Sequence, residues 1–182
     1  MIELGLAPML CPEGSQVSEA VMETIKEILE DVFPVRVQAL PAINSPPEAY
    51  DSVRRQHSAP VILKSLLAAH PANPAKLLAV TGGDLFIPML SFVFGQAQLG
   101  GRAAVISMAR LTPEFHGFDP DLQLLLRRAR TVALHETGHL FGLTHCQTQE
   151  CAMRLATNIH QFDLKRAVLC PGCAAILLEN LR

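Results

Sequence analysis

Apolar residues recur at Val17, Val21, Ile25, Ile28, Leu29 and Val32, the 3.6-residue period of an amphipathic helix over about 15–32. Ahead of it, the apolar run IELGLAPM at 2–9 predicts a strand that Pro12–Gly14 punctuates; behind it, PVRVQALPAI at 34–43 alternates like a second strand. A β-α-β opening predicts parallel pairing through a right-handed crossover. The polar stretch 43–60 predicts a long connection, followed by a helix over about 60–70. KLLAVTGG (76–83) and GRAAVISMARL (101–111) are strand-like apolar runs. FVFGQAQLG (92–100), between them, mixes apolar residues with glycine and glutamine, which suits an edge strand. LTPEFHGFD predicts a loop, and Asp119 and Pro120 then offer a cap and a first-turn proline for a helix over about 120–141. Its expected buried side is Leu122, Leu125, Leu126, Ala129, Val132, Ala133 and Leu140.

Composition narrows the class. A chain of 182 residues, 49% of them hydrophobic, can bury a core as one domain, with or without two lobes about a cleft. The net charge of −2 gives no global basic field for nucleic acid or an anionic membrane, and Arg127, Arg128 and Arg130 read as one solvated face. Apolar runs break at Pro, Gly or charge well short of the roughly 18 residues a membrane span needs. Glu3 stands where a secretory leader needs positive charge, so a cytoplasmic location is expected. Four of the five cysteines crowd into 146–173 and Cys11 stands apart, a distribution that suits metal binding in a reducing compartment better than a disulfide framework.

The chemistry concentrates in LHETGHLFGLTHC, 134–146. His135 and His139, four apart on a helix, project from nearly one face, as two ligands to a single ion require. Gly142 suits a left-handed helix stop, after which the chain turns back and brings His145 to the same ion. Three protein ligands leave a position open, the arrangement of catalytic zinc. Glu136 lies beside the pair without being a ligand and is placed to act as general base for water attacking a peptide carbonyl, then to hand the proton to the leaving amine. An ordinary surface helix with two histidines would explain a bare HExxH, but not the capped, terminated helix with a third histidine at the extended spacing.

Cys146, Cys151, Cys170 and Cys173 form C-x4-C and then C-P-G-C, two thiolate pairs that read as a tetrahedral structural zinc site. Buried free cysteines or a redox C-x-x-C are the plainer alternatives; the turn between Cys170 and Cys173, with a second pair nearby, favours metal. Because His145 and Cys146 are adjacent, the cysteine site would pin the backbone that presents the third histidine.

HETGHLFGLTHCQTQECAM (135–153) followed by LCPGC (169–173) resembles the archaemetzincins, small metzincin-clan metallopeptidases with a second zinc; the pattern HExxHxxGxxHCx4CxM, a spacer and CxxC matches at every fixed position. FVFGQAQ at 92–98 and GRAAVISMARL extend the likeness over most of the second half. The resemblance implies an α+β, zincin-like (metzincin) fold: a twisted mixed sheet with helices, an active-site helix and a small C-terminal lobe stabilised by zinc. It implies two zinc ions per chain, and it makes Met153 the methionine of the Met-turn beneath the histidines. The expected subdomains are about 1–142 and 143–182. The expected function is zinc-dependent hydrolysis of peptide bonds, with a peptide or protein substrate laid along an edge strand at 92–97. One departure is that no tyrosine follows Tyr50, so no phenol near the Met-turn can stabilise the transition state.

The competing function is a proteolytically silent scaffold that binds peptides or carboxylates at an open zinc; the intact Glu136 argues against it, because binding needs no general base. A zinc-stabilised nucleic-acid module would want a basic surface around the cysteines, where Arg154, Lys165 and Arg166 are offset by Glu150 and Asp163. His116 and His160 read as surface histidines, His57 with Arg54 and Arg55 as a solvated loop, Cys11 as a free thiol, and Asp84 as support for the loop beneath the edge strand.

Overall fold

The computed structural model describes residues 1–14, 16–69 and 74–181; Ser15 and His70, at the ends of two expected helices, lie outside them. The β-α-β opening forms as expected. Strand β1 (Ile2–Leu10) leads into helix α1 (Glu19–Val32), capped by Ser18, and returns as β2 (Val35–Ala39), parallel to β1. The alternating run 34–43 is not one strand: β2 stops before Pro41, and Ile43–Asn44 resumes as β3, again parallel to β1. A proline has no N–H for the ladder, so the run divides there.

The polar stretch expected as a plain connection carries two short strands, β4 (Tyr50–Asp51) and β5 (Gln56–Ser58), before α2 (Ala59–Ala69). Then come β6 (Lys76–Thr81), β7 (Leu85–Phe86), β8 (Gly95–Ala97) and β9 (Ala103–Ser107). The main sheet runs β2-β1-β6-β9-β8, parallel except for β8, which lies antiparallel to β9 at the edge. A second small sheet, β4-β5-β7, flanks it. The edge strand expected over 92–100 shrinks to three residues, and Ala109–Leu111 forms a 3-10 helix instead of extending β9.

Helix α3 (Leu122–Leu140) starts two residues later than the sequence suggests: Asp121, not Asp119, caps it, its carboxylate accepting the Leu124 N–H at 2.9 Å. Leu122 therefore occupies the first turn and is exposed rather than buried. Arg128 also departs from expectation. It is buried, paired with Asp163 at 2.6 Å and donating to the Leu111 carbonyl. Two short helices close the chain, α4 (Ile159–Asp163) and α5 (Pro171–Asn180).

The central strands are apolar on both faces because both are covered. Leu4, Leu6, Leu78, Val80, Ala104 and Ile106 face α1 and α3, whereas Ala7, Leu77, Ala79, Ala103 and Val105 face α2. This packing sets α3 beside β8 and β9 with the edge strand next to its last turns. Among the described residues no helix is long and apolar enough to cross a membrane.

Candidate metal centres and active site

Near the end of α3 the chain reverses at Gly142, whose φ of +82° is a left-handed conformation that a side chain at this position would strain. The reversal brings His145 back to the helix, and the three imidazoles cluster with centroids 4.7–5.3 Å apart. Each of His135, His139 and His145 offers a ring nitrogen to one common site.

The hydrogen bonds decide which nitrogen. His135 Nδ1 lies 2.7 Å from the Ala152 carbonyl, and His139 Nδ1 lies 2.7 Å from the Leu143 carbonyl. A carbonyl only accepts, so each Nδ1 carries the hydrogen and each Nε2 presents a lone pair. Those two Nε2 atoms are 3.2 Å apart. Two lone pairs so close repel unless a cation lies between them. Tetrahedral zinc with bonds of about 2.05 Å places its nitrogens about 3.3 Å apart, so the pair fits the ion. Burial holds the pKa of all three imidazoles below the ordinary histidine value, and the Lys165 ammonium adds to the effect, keeping them neutral as ligands must be.

The four cysteines of the 146–173 cluster likewise converge. Cys146 Sγ is 3.7 Å from Cys170 Sγ, and Cys151 Sγ is 3.7 Å from Cys173 Sγ. That is far too long for a disulfide and close to the roughly 3.8 Å between sulfurs on a tetrahedral zinc with bonds of about 2.3 Å. Cys170 caps α5, and the Cys173 backbone N–H pulls its thiol down to about 6. Burial pushes Cys151 and Cys173 up, so in those two a thiolate needs the metal charge beside it.

One short run of backbone ties both centres together. Cys151 supplies a sulfur, the Ala152 carbonyl orients His135, and the Met153 carbonyl accepts the Cys146 N–H at 3.0 Å. Met153 itself is fully buried, its sulfur packed beneath α3 where a Cβ on Gly138 would lie 2.5 Å from it. The methionine thus fixes the height of the turn against the helix that carries two of the imidazoles.

Glu136 shares α3 with the ligands and faces a cavity of about 400 Å³ lined by the segment 90–97, the imidazoles, residues 155–157, Phe162 and Lys165. Its carboxylate forms no hydrogen bond to the described residues. Burial pushes the carboxyl up to about 8, against the pull of the Lys165 ammonium. Gly95 of β8 makes room for it: a Cβ there would lie 2.7 Å from Glu136 Cγ and 2.8 Å from Oε1.

Other sequence candidates fall outside this centre. His116 bonds the Arg110 carbonyl, His160 is exposed, and neither lines the cavity. His57 is buried rather than solvated, its Nδ1 3.4 Å from Ser45 Oγ. It belongs to the small sheet, which pairs β5 with β7 inside the fold. Cys11 is a buried free thiol 3.0 Å from Thr81 Oγ1. Asp84 takes a two-pronged bond from Arg110, whose guanidinium stacks 4.1 Å over Phe92, and so does support the loop before the edge strand. Sequence reasoning missed Gly95 and Lys165 at the site, for neither belongs to a spaced motif.

Comparison with known proteins agrees with this geometry. The profile of peptidase family M54 matches residues 14–179. The archaemetzincin of Methanocaldococcus jannaschii is 39% identical over 164 residues, 90% of this chain and 89% of that protein. The crystal structure of the Methanopyrus kandleri archaemetzincin superposes with a TM-score of 0.86 at 32% identity, covering 99% of this chain and 95% of that one. A zinc-dependent peptidase from Methanocorpusculum labreanum gives 0.82 at 32% identity, covering 96% and 99%.

Proposed function

Because the chain belongs to peptidase family M54, the archaemetzincins, and is accordingly a zinc metallopeptidase, we propose that Glu136 is its general base. In this reading His135, His139 and His145 hold the catalytic ion, Cys146, Cys151, Cys170 and Cys173 hold a structural one, and Gly142 and Met153 position the ligands. Zinc at the three imidazoles supplies a Lewis acid that acidifies water and polarises a peptide carbonyl.

The protein side chains supply the rest. The Glu136 carboxylate, free of protein hydrogen bonds and buried against Gly95, is the observation that carries the reading. A carboxylate so desolvated holds a proton more tightly than one in water, which suits a group that must take a proton from water and return it to the departing amine. Edge strand β8, paired on one side by β9, presents the outer backbone edge of Gly95–Ala97 to an extended peptide laid along 92–97 by strand addition, whereas the Val93 N–H is already held by the Leu85 carbonyl at 2.9 Å. The apolar walls of the cavity exclude bulk water and strengthen each polar contact within it. The N-terminal subdomain, about 1–142, provides the helix and the edge strand; residues 143–182 close the cavity from the other side and carry the cysteine centre.

The test is a digest of a mixed peptide library by zinc-loaded wild-type protein and Glu136→Ala in parallel, read by mass spectrometry. Cleavage should fall by about 10²–10⁴-fold in the variant at equal zinc content. Equal cleavage by both proteins would remove Glu136 from the mechanism.

A further inference from the structure

Lys165 is the sole cationic side chain among the described residues that line the cavity, and it is only 5% exposed. Its surroundings give the ammonium almost nothing to donate to. The neighbouring His135 Nδ1, 3.4 Å away, already commits its hydrogen to the Ala152 carbonyl and cannot accept another. The Phe162 ring lies 4.9 Å from Nζ and offers a π face alone. Among the described residues no carboxylate lies within ion-pair distance of Nζ, and Glu136 and Cys151 act on it only through their longer-range fields. Three N–H groups on a buried charge are thus held beside a cavity without an anion. Such an arrangement is costly unless something from outside completes it.

The position of the cavity says what completes it. If Glu136 returns the proton to the departing amine, the residue bearing that amine lies against Glu136 and drops its side chain into the adjoining space. Val132, one turn before His135, forms one wall of that space, with Leu155, Ala156 and Phe162 as others. These walls suit methylenes, and Lys165 supplies their one positive terminus. We propose that Lys165 anchors a carboxylate carried by the residue immediately after the scissile bond, so that the peptidase prefers Asp or Glu, or a free chain terminus, on the leaving side. The proposal rests on the Glu136 reading for its orientation. The rival role is structural, with Lys165 serving as counter-charge to the thiolates around Cys151.

Two measurements separate the ideas. First, a peptide library with free and with amidated C-termini is digested by zinc-loaded wild type, Lys165→Met and Lys165→Arg, and fragment ends are sequenced by mass spectrometry. Wild type should enrich acidic residues after the cut about tenfold or more, the worth of a hydrogen bond to a charged group. Lys165→Met should lose that enrichment while still cutting neutral sites, and Lys165→Arg, with its longer reach, should shift the preference from Glu towards Asp. Enrichment that survives amidation assigns the carboxylate to a side chain; enrichment lost on amidation assigns it to the chain terminus. A wild-type profile indifferent to charge, or one unchanged in Lys165→Met, overturns the proposal. Second, calorimetry in a Glu136→Ala background compares acetyl-Ala-Ala-Glu-Ala-amide with its Gln counterpart, with and without Lys165→Met. The Glu peptide should bind about tenfold tighter only where Lys165 is present; equal affinities overturn the proposal even if no cleavage is ever seen. A purely structural lysine would lower zinc content or thermal stability in Lys165→Met and leave both selectivities unmoved.

Discussion

Placing a methyl group on Gly95 tests the catalytic geometry without touching a metal ligand. The Cβ of Gly95→Ala would lie 2.7 Å from Glu136 Cγ and 2.8 Å from Oε1. Ordinary carbon contacts begin at about 3.5 Å, so the Glu136 side chain must retreat by about 0.8 Å. No protein hydrogen bond holds the carboxylate and the cavity adjoins it, so the cost to folding should stay near the low end of the roughly 1–3 kcal/mol that overpacking costs. Catalysis is far less tolerant: a misplacement near 1 Å costs about 10²-fold in rate. The expected result is a kcat lowered about 10²-fold, with zinc content unchanged and Tm within a few degrees of wild type. Rates on a fluorogenic peptide chosen from the library digest, zinc by elemental analysis and a thermal melt provide the three readings. A kcat within threefold of wild type would refute the argument, since Glu136 would then work equally well from a displaced position. Lost zinc would show instead that the methyl group disturbs the imidazoles.

Two further outcomes follow from the same geometry. The three-imidazole centre opens onto the cavity whereas the cysteine centre is tied into the backbone at Cys146 and Cys151, so titration with a chelator should release one zinc per chain with little change in Tm and the second only with a large drop; simultaneous release at one chelator concentration would contradict it. His57 should make the fold sensitive to acid. Burial holds its pKa below 6.5, with Glu13 and Asp84 opposing, so the unfolded chain binds a proton more readily than the native one and stability is lost as pH falls below about 6.5. His57→Gln should therefore show a smaller fall in Tm between pH 7.5 and pH 5.5 than wild type, and an equal fall would mean that His57 is not the group responsible.

The ligand set was legible because each metal centre is written locally. Four-residue spacing on a helix, a glycine stop and a C-x-x-C turn fix which side chains can share an ion before any long-range packing is known, and His135, His139, His145 and the four cysteines converge accordingly. The parallel order of the opening strands was equally readable, since the period of α1 and the length of the crossover leave little choice. Local signals failed where packing competed with them. Asp119, followed by Pro120, reads as the cap in sequence, yet α3 starts at Leu122 and Asp121 caps it instead. Arg128 reads as a solvated cation until α4 places Asp163 beside it, 35 residues away.

The sequence by itself therefore determined the two metal centres, the helix that bears two of the imidazoles, and the glutamate between them, because helical periodicity and turn chemistry act over a few residues. Only the tertiary structure decided what surrounds them. The edge strand, the turn after Cys151 and the segment following α4 come from distant parts of the chain, and the space left between Gly95, Glu136 and Lys165 exists only once all three have packed against α3.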